Sequence, residues 1–147
     1  MSASQQSRSE MVRPVPLSFT PIEIKAIMQI VETCMEMVKD TGRIDDEQTT
    51  VLAGMQAVVE RMATLSAQYG ARDTTPVSCT LPLGEVLSLE YAVRTYEQLL
   101  EEQGYIGVVP HIVELLDILF QRVRLAIMRH YPAFGVQLIA MDRQQRH

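Results

Sequence analysis

Residues 20–40 read TPIEIKAIMQIVETCMEMVKD, and the reading of this stretch decides the fold. Thr20 is a capping residue, Pro21 suits the first helical position, and Glu23 is placed to close a capping box. Phe19 before the cap and Ile24 after it are spaced to form a hydrophobic staple. On a helical wheel Lys25, Gln29, Glu32, Glu36, Lys39 and Asp40 fall on one narrow polar arc. Ile24, Ile27, Met28, Ile30, Val31, Cys34, Met35, Met37 and Val38 take the rest, roughly 200° of the circumference. An ordinary surface helix needs an apolar stripe nearer about 100° wide. This helix must be covered on two sides, by its own chain or by a second copy. The second option makes Ile24, Ile27, Met28, Val31 and Met35 the expected interface of a homodimer.

Working downstream, Thr41-Gly42 reads as the stop of this helix, and Asp45 and Asp46 as the cap and first-turn charge of the next. The second helix is predicted over about 47–69. Val51, Met55, Val58, Met62, Leu65 and Tyr69 alternate at spacings of four and three, and Leu52 and Val59 widen the stripe. Residues 70–81 form the longest internal connection and are expected to cross one end of the molecule. A third helix is predicted from 82–85 to Gly104, its seam formed by Val86, Leu89, Val93, Tyr96 and Leu100. Glu90 and Arg94 are an i,i+4 pair on its wet face, where Leu87 and Tyr91 also fall. The fourth helix begins at Pro110 and is stopped by Pro132, with Ile112, Leu116, Leu119, Val123 and Ala126 inward. Its polar side holds His111, Glu114, Asp117, Gln121, Arg122, Arg124 and Arg129, yet Ile118 and Leu125 lie there too, seven apart and therefore aligned.

Four amphipathic helices with three connections, the middle one long, predict an all-α fold: a four-helix bundle of two antiparallel hairpins over 19–132. Residues 1–18 are Ser/Gln-rich and then Pro-containing, which reads as a flexible leader, and residues 133–147 as a short C-terminal extension.

Composition narrows the function. At 147 residues, 47% hydrophobic and 21% charged, the chain has the make-up of one globular domain with a core of its own. A net charge of -5 and the lack of a basic helix face argue against nucleic acid as a partner. The apolar run at 112–128 carries Glu114, Asp117, Arg122 and Arg124, so no membrane span is expected. Cys34 and Cys79 form no disulfide framework and no signal-peptide run precedes Thr20, so the expected compartment is the cytoplasm.

Catalytic patterns are missing: there is no glycine cluster after a strand and no Gly-x-Ser-x-Gly elbow. The sharpest metal reading is a carboxylate site inside the bundle built from Glu32, Glu36, His111 and Glu114. Such sites need inward carboxylates and Glu-x-x-His pairs on facing helices. Here the order is reversed, no second pair exists, and all four residues sit on polar arcs. The preferred reading is a non-catalytic helical interaction module without cofactor, an adaptor, chaperone or assembly subunit. Its expected partners are a second copy of itself and another protein. Leu87, Tyr91, Ile118 and Leu125, apolar among charges, are its expected partner-binding residues.

Overall fold

The computed structural model describes residues 14–40, 42, 45–69, 74–104, 110–133 and 140, with the backbone alone at 110 and 111. Among these residues the fold is all-α: four helices and one small sheet. In chain order they are β1 (Val15–Phe19), α1 (Pro21–Asp40), α2 (Asp46–Gln68), β2 (Val77–Leu81), α3 (Leu83–Glu102) and α4 (Pro110–His130).

The helix starts form as their sequences dictate. At α1 the Thr20 amide donates to Glu23 Oε1 at 2.8 Å and the Glu23 amide to Thr20 Oγ1 at 3.3 Å, closing the capping box. Phe19 and Ile24 of the expected staple are both fully buried. At α2 the Gln48 amide donates to Asp45 Oδ1 at 2.7 Å and the Asp45 amide to Gln48 Oε1 at 3.1 Å, a second box. Two reciprocal caps satisfy four donors that a helix start otherwise leaves to water.

The consecutive pairs α1–α2 and α3–α4 pack together, as expected of two hairpins, and α3 also packs on α1 and α2. Helix α3 thus packs on all three of the others, while α1 meets α4 through Glu23 and Arg122. The crossing of α2 over α3 is tight. A Cβ added to Gly54 would stand 2.1 Å from Ser88 Oγ and 3.0 Å from Ser88 Cβ, and Ser88 is buried. Glycine is needed there to let the two helices approach.

The sheet corrects the expected leader. β1 pairs antiparallel with β2 in the register Val15↔Leu81, Leu17↔Cys79 and Phe19↔Val77. Val15, Leu17, Phe19, Val77 and Leu81 are buried, while Pro16, Ser18, Ser78 and Thr80 face outward. Residues 15–18 thus belong to the folded body, and the far end of the long connection is strand; residues 1–13 lie outside the described residues. β1 packs against both α1 and α4. Each of its inward side chains contributes about 1.5–3 kcal/mol by burial.

This strand also answers what covers the wide face of α1. Ile24, Ile27, Ile30, Val31, Cys34, Met35 and Val38 are buried within the single chain, and Met28 packs partly buried against them. The covering comes from α2, α3 and β1. Of the expected dimer interface, Ile24, Ile27, Val31 and Met35 are buried within the single chain and Met28 is half-buried against the same core. The polar arc of Lys25, Gln29, Glu32, Glu36, Lys39 and Asp40 is exposed throughout.

Smaller departures sit at helix ends. Tyr69 follows α2 as its C-cap and is exposed, and Ile112, expected inward, is exposed in the first turns of α4 while Ile127 is buried.

Candidate functional site

Helix α4 carries the surface of interest, and it is held from both flanks. Its inner face buries Leu116, Leu119, Val123 and Ile127. On one flank Arg122 Nη1 donates to Glu23 Oε1 at 2.7 Å and to the Ser18 carbonyl at 3.2 Å. The same Glu23 oxygen accepts the Thr20 amide, so the carboxylate that caps α1 also ties α4 to α1 and β1. On the other flank Arg124 Nη2 donates to Glu90 Oε1 at 3.3 Å, and its guanidinium lies 4.5 Å from the centroid of the Phe120 ring. Glu90 is 1% exposed and also pairs with Arg94, whose Nε lies 3.3 Å from Oε1. A third buried carboxylate, Glu85 at the start of α3, accepts from Arg61 Nε of α2 at 2.7 Å.

These pairs revise the wheel reading. Glu90 and Arg94 were expected on the wet face of α3, and Arg122 and Arg124 on that of α4. Instead Glu90, Arg122 and Arg124 meet partners on neighbouring elements, and the Arg94 side chain is only 14% exposed beside Glu90 of its own helix. The charges are tolerated out of water because each carboxylate meets at least one guanidinium, and Phe120 supplies a π face for Arg124.

With its inner face in the core and its flanks pinned by Arg122 and Arg124, α4 leaves one outer face. Leu125 is 58% exposed and Ile118 49%, and Met128 is exposed on the same side. Glu114, Asp117, Gln121 and Arg129 share that side and are exposed. Of the expected partner-binding residues, Ile118 and Leu125 therefore stand together on open surface. Tyr91 is exposed on α3, 5.8 Å from the Arg94 guanidinium. Leu87 is not part of the patch, since it packs partly buried against the core. Met128 and Arg129 were not singled out as site residues from sequence, and Glu114 was named only in the alternative metal set. The signal was present: Glu114, Ile118, Gln121, Leu125 and Met128 follow the same alternating spacing of four and three as an inward seam.

Beside this face a groove of about 640 Å³ opens between α4 and the outer side of the sheet. Leu125, Arg122, Arg129, Ser18, Ser78 and Cys79 are among the residues that line it. Its walls mix hydroxyls and cations with the apolar side chains of Leu17, Leu125 and Ala126.

Neither cysteine has the surroundings of an activated nucleophile. Cys34 is buried and its Sγ donates to the Ala92 carbonyl at 3.1 Å. Burial pushes its thiol up to about 11, which keeps it protonated. The half-buried Cys79 thiol is also raised by burial, against an opposing pull from Arg61.

The alternative metal set is not drawn together by what is described. Glu32, Glu36 and Glu114 are exposed on α1 and α4, and the His111 side chain lies outside the described residues. Among the described residues no group of three or more His, Cys, Asp or Glu side chains is placed to hold a metal ion. Among them, too, no helix is long and apolar enough to cross a membrane.

Comparison with models of known protein families, with curated proteins and with solved structures matched nothing.

Proposed function

We propose that this chain is a non-catalytic protein–protein interaction module, an adaptor, chaperone or assembly subunit, that binds through the outer face of α4 without a cofactor. The observation that carries this reading is the exposure of Ile118 and Leu125 side by side on a helix already seated in the core and held on both flanks. Each such side chain left in water forfeits about 1.5–3 kcal/mol of burial. An aligned pair rimmed by charges is the signature of a covered surface, whereas apolar residues scattered singly need no explanation. Tyr91 is exposed on the neighbouring α3, and aromatic side chains are favoured at the centres of interfaces. The free thiols Cys34 and Cys79 suit a reducing cytoplasm as its working compartment.

Site-specific photocrosslinking in the native host tests the reading. A photoreactive residue in place of Leu125 is expected to give adducts of discrete mass. The same residue in place of Lys25, exposed on the polar arc of α1, is expected to give none. Equal yields at both positions, or no adduct at Leu125, overturn the proposal.

A further inference from the structure

The outer face of α4 is polar at both ends with opposite signs. Glu114 and Asp117 are exposed in its N-terminal half, and Arg129 is exposed in its last turn beside the half-buried His130. Ile118 and Leu125 lie between, with Gln121 between them in turn. Helix polarity alone already favours this order of cations at the C-terminal end, but it says nothing about the two exposed aliphatic side chains. The order of charges and apolar residues together is self-complementary under one operation only. An antiparallel copy of the helix, related by a two-fold axis passing near Gln121 and Arg122, sets Ile118 opposite the copy's Leu125. The same axis sets Glu114 opposite the copy's Arg129, because both pairs are centred on the same point of the sequence. A parallel copy would face acid with acid and base with base.

We infer that the outer face of α4 is a self-association surface, on which a second copy of this chain docks its own α4 antiparallel about a two-fold axis near Gln121 and Arg122. The inference rests on the reading of this face as a binding surface and names its occupant. A two-fold interface repeats every contact, so the Ile118–Leu125 contact occurs twice and the two ion pairs sit at the two ends. Arg122 and Arg124 are not consumed by the contact, since they are committed inward to Glu23 and Glu90. One helix face is a small interface, and the expected dissociation constant is on the order of micromolar. The end pairs are solvated and set register and orientation, while the aliphatic centre supplies the attraction.

The test is sedimentation of the full chain over about 1–200 μM, a range that brackets a micromolar constant. Wild type is expected to shift from monomer to dimer. Glu114→Arg and Arg129→Glu each turn two attractions into two repulsions, and each is expected to weaken the dimer on the order of tenfold. Combined in one chain they restore the pairing with signs exchanged, and the constant is expected to return to within about threefold of wild type. Leu125→Glu is expected to leave only monomer. All of these positions are exposed, so far-ultraviolet circular dichroism should stay unchanged, and Glu114→Gln with Arg129→Gln serves as a milder pair if it does not. A wild-type chain that stays monomeric throughout overturns the inference. So does a dimer indifferent to both charge changes, or one that the double exchange fails to rescue. If the chain is monomeric while the Leu125 photocrosslinker captures a different protein, self-association falls and the interaction module stands. If that crosslinker also captures nothing, both fall.

Discussion

Replacing Glu90 with Gln is the sharpest probe of how α3 and α4 are joined. Glu90 is 1% exposed and stands within 3.3 Å of guanidinium nitrogens from both Arg94 and Arg124, whose side chains are themselves only 14% and 11% exposed. The substitution keeps the shape but removes the charge and turns one oxygen into a donor facing donors. Breaking a buried pair from one side costs about 3–5 kcal/mol, because the remaining charge stays out of water. A single domain holds about 5–15 kcal/mol in total, so the loss should be a large fraction of it. For a chain of this size it corresponds to a melting temperature lower by roughly 10 °C. Urea denaturation followed by circular dichroism should show the midpoint falling at unchanged slope. Glu36→Gln, on the exposed arc of α1, should stay within about 0.5 kcal/mol of wild type. Replacing all three of Glu90, Arg94 and Arg124 with Leu or Met should recover most of the loss, since no buried charge is then left. A Glu90→Gln protein within about 1 kcal/mol of wild type would refute the argument that this cluster works as a dehydrated unit.

Two other predictions test the packing. Gly54→Ala should destabilise the fold by about 1–3 kcal/mol in urea denaturation, although alanine is the better helix former, because the new methyl meets Ser88 Oγ and Cβ. A stabilised Gly54→Ala protein would show that α2 and α3 are not held at that distance. The pH dependence of stability should carry the mark of Cys34, whose thiol is pushed by burial from its ordinary value of 9.0 up to about 11. The folded state then holds the proton more tightly than the unfolded one, so the contribution is complete below pH 9 and is lost as pH climbs toward 11. Relative to Cys34→Ala, wild type should lose stability across that window, and parallel curves for the two proteins would contradict it.

What the sequence determined by itself is what its local physics can carry. The capping boxes at Thr20–Glu23 and Asp45–Gln48 involve residues three apart, so they are legible wherever the helix forms. The inward stripes of Met55, Val58 and Met62, or of Leu116, Leu119 and Val123, follow from the turn of the helix and need no partner to be named. The exposed pair Ile118 and Leu125 was legible for the same reason, as apolar residues out of phase with their own seam. Tertiary structure alone decided the rest. Five residues containing a proline do not announce a strand, and β1 exists because Val77–Leu81, about sixty positions away, completes its ladder and buries Val15, Leu17 and Phe19. With that strand in place the broad face of α1 is closed from within, and the exposed apolar pair Ile118 and Leu125 lies on α4. Glu90 is the clearest instance of the limit. A wheel sends a carboxylate to water because burying a lone charge is prohibitive, and one helix cannot show that a neighbour brings Arg124 to meet it. Periodicity is a property of one element, whereas the fate of a charge depends on which other element arrives beside it.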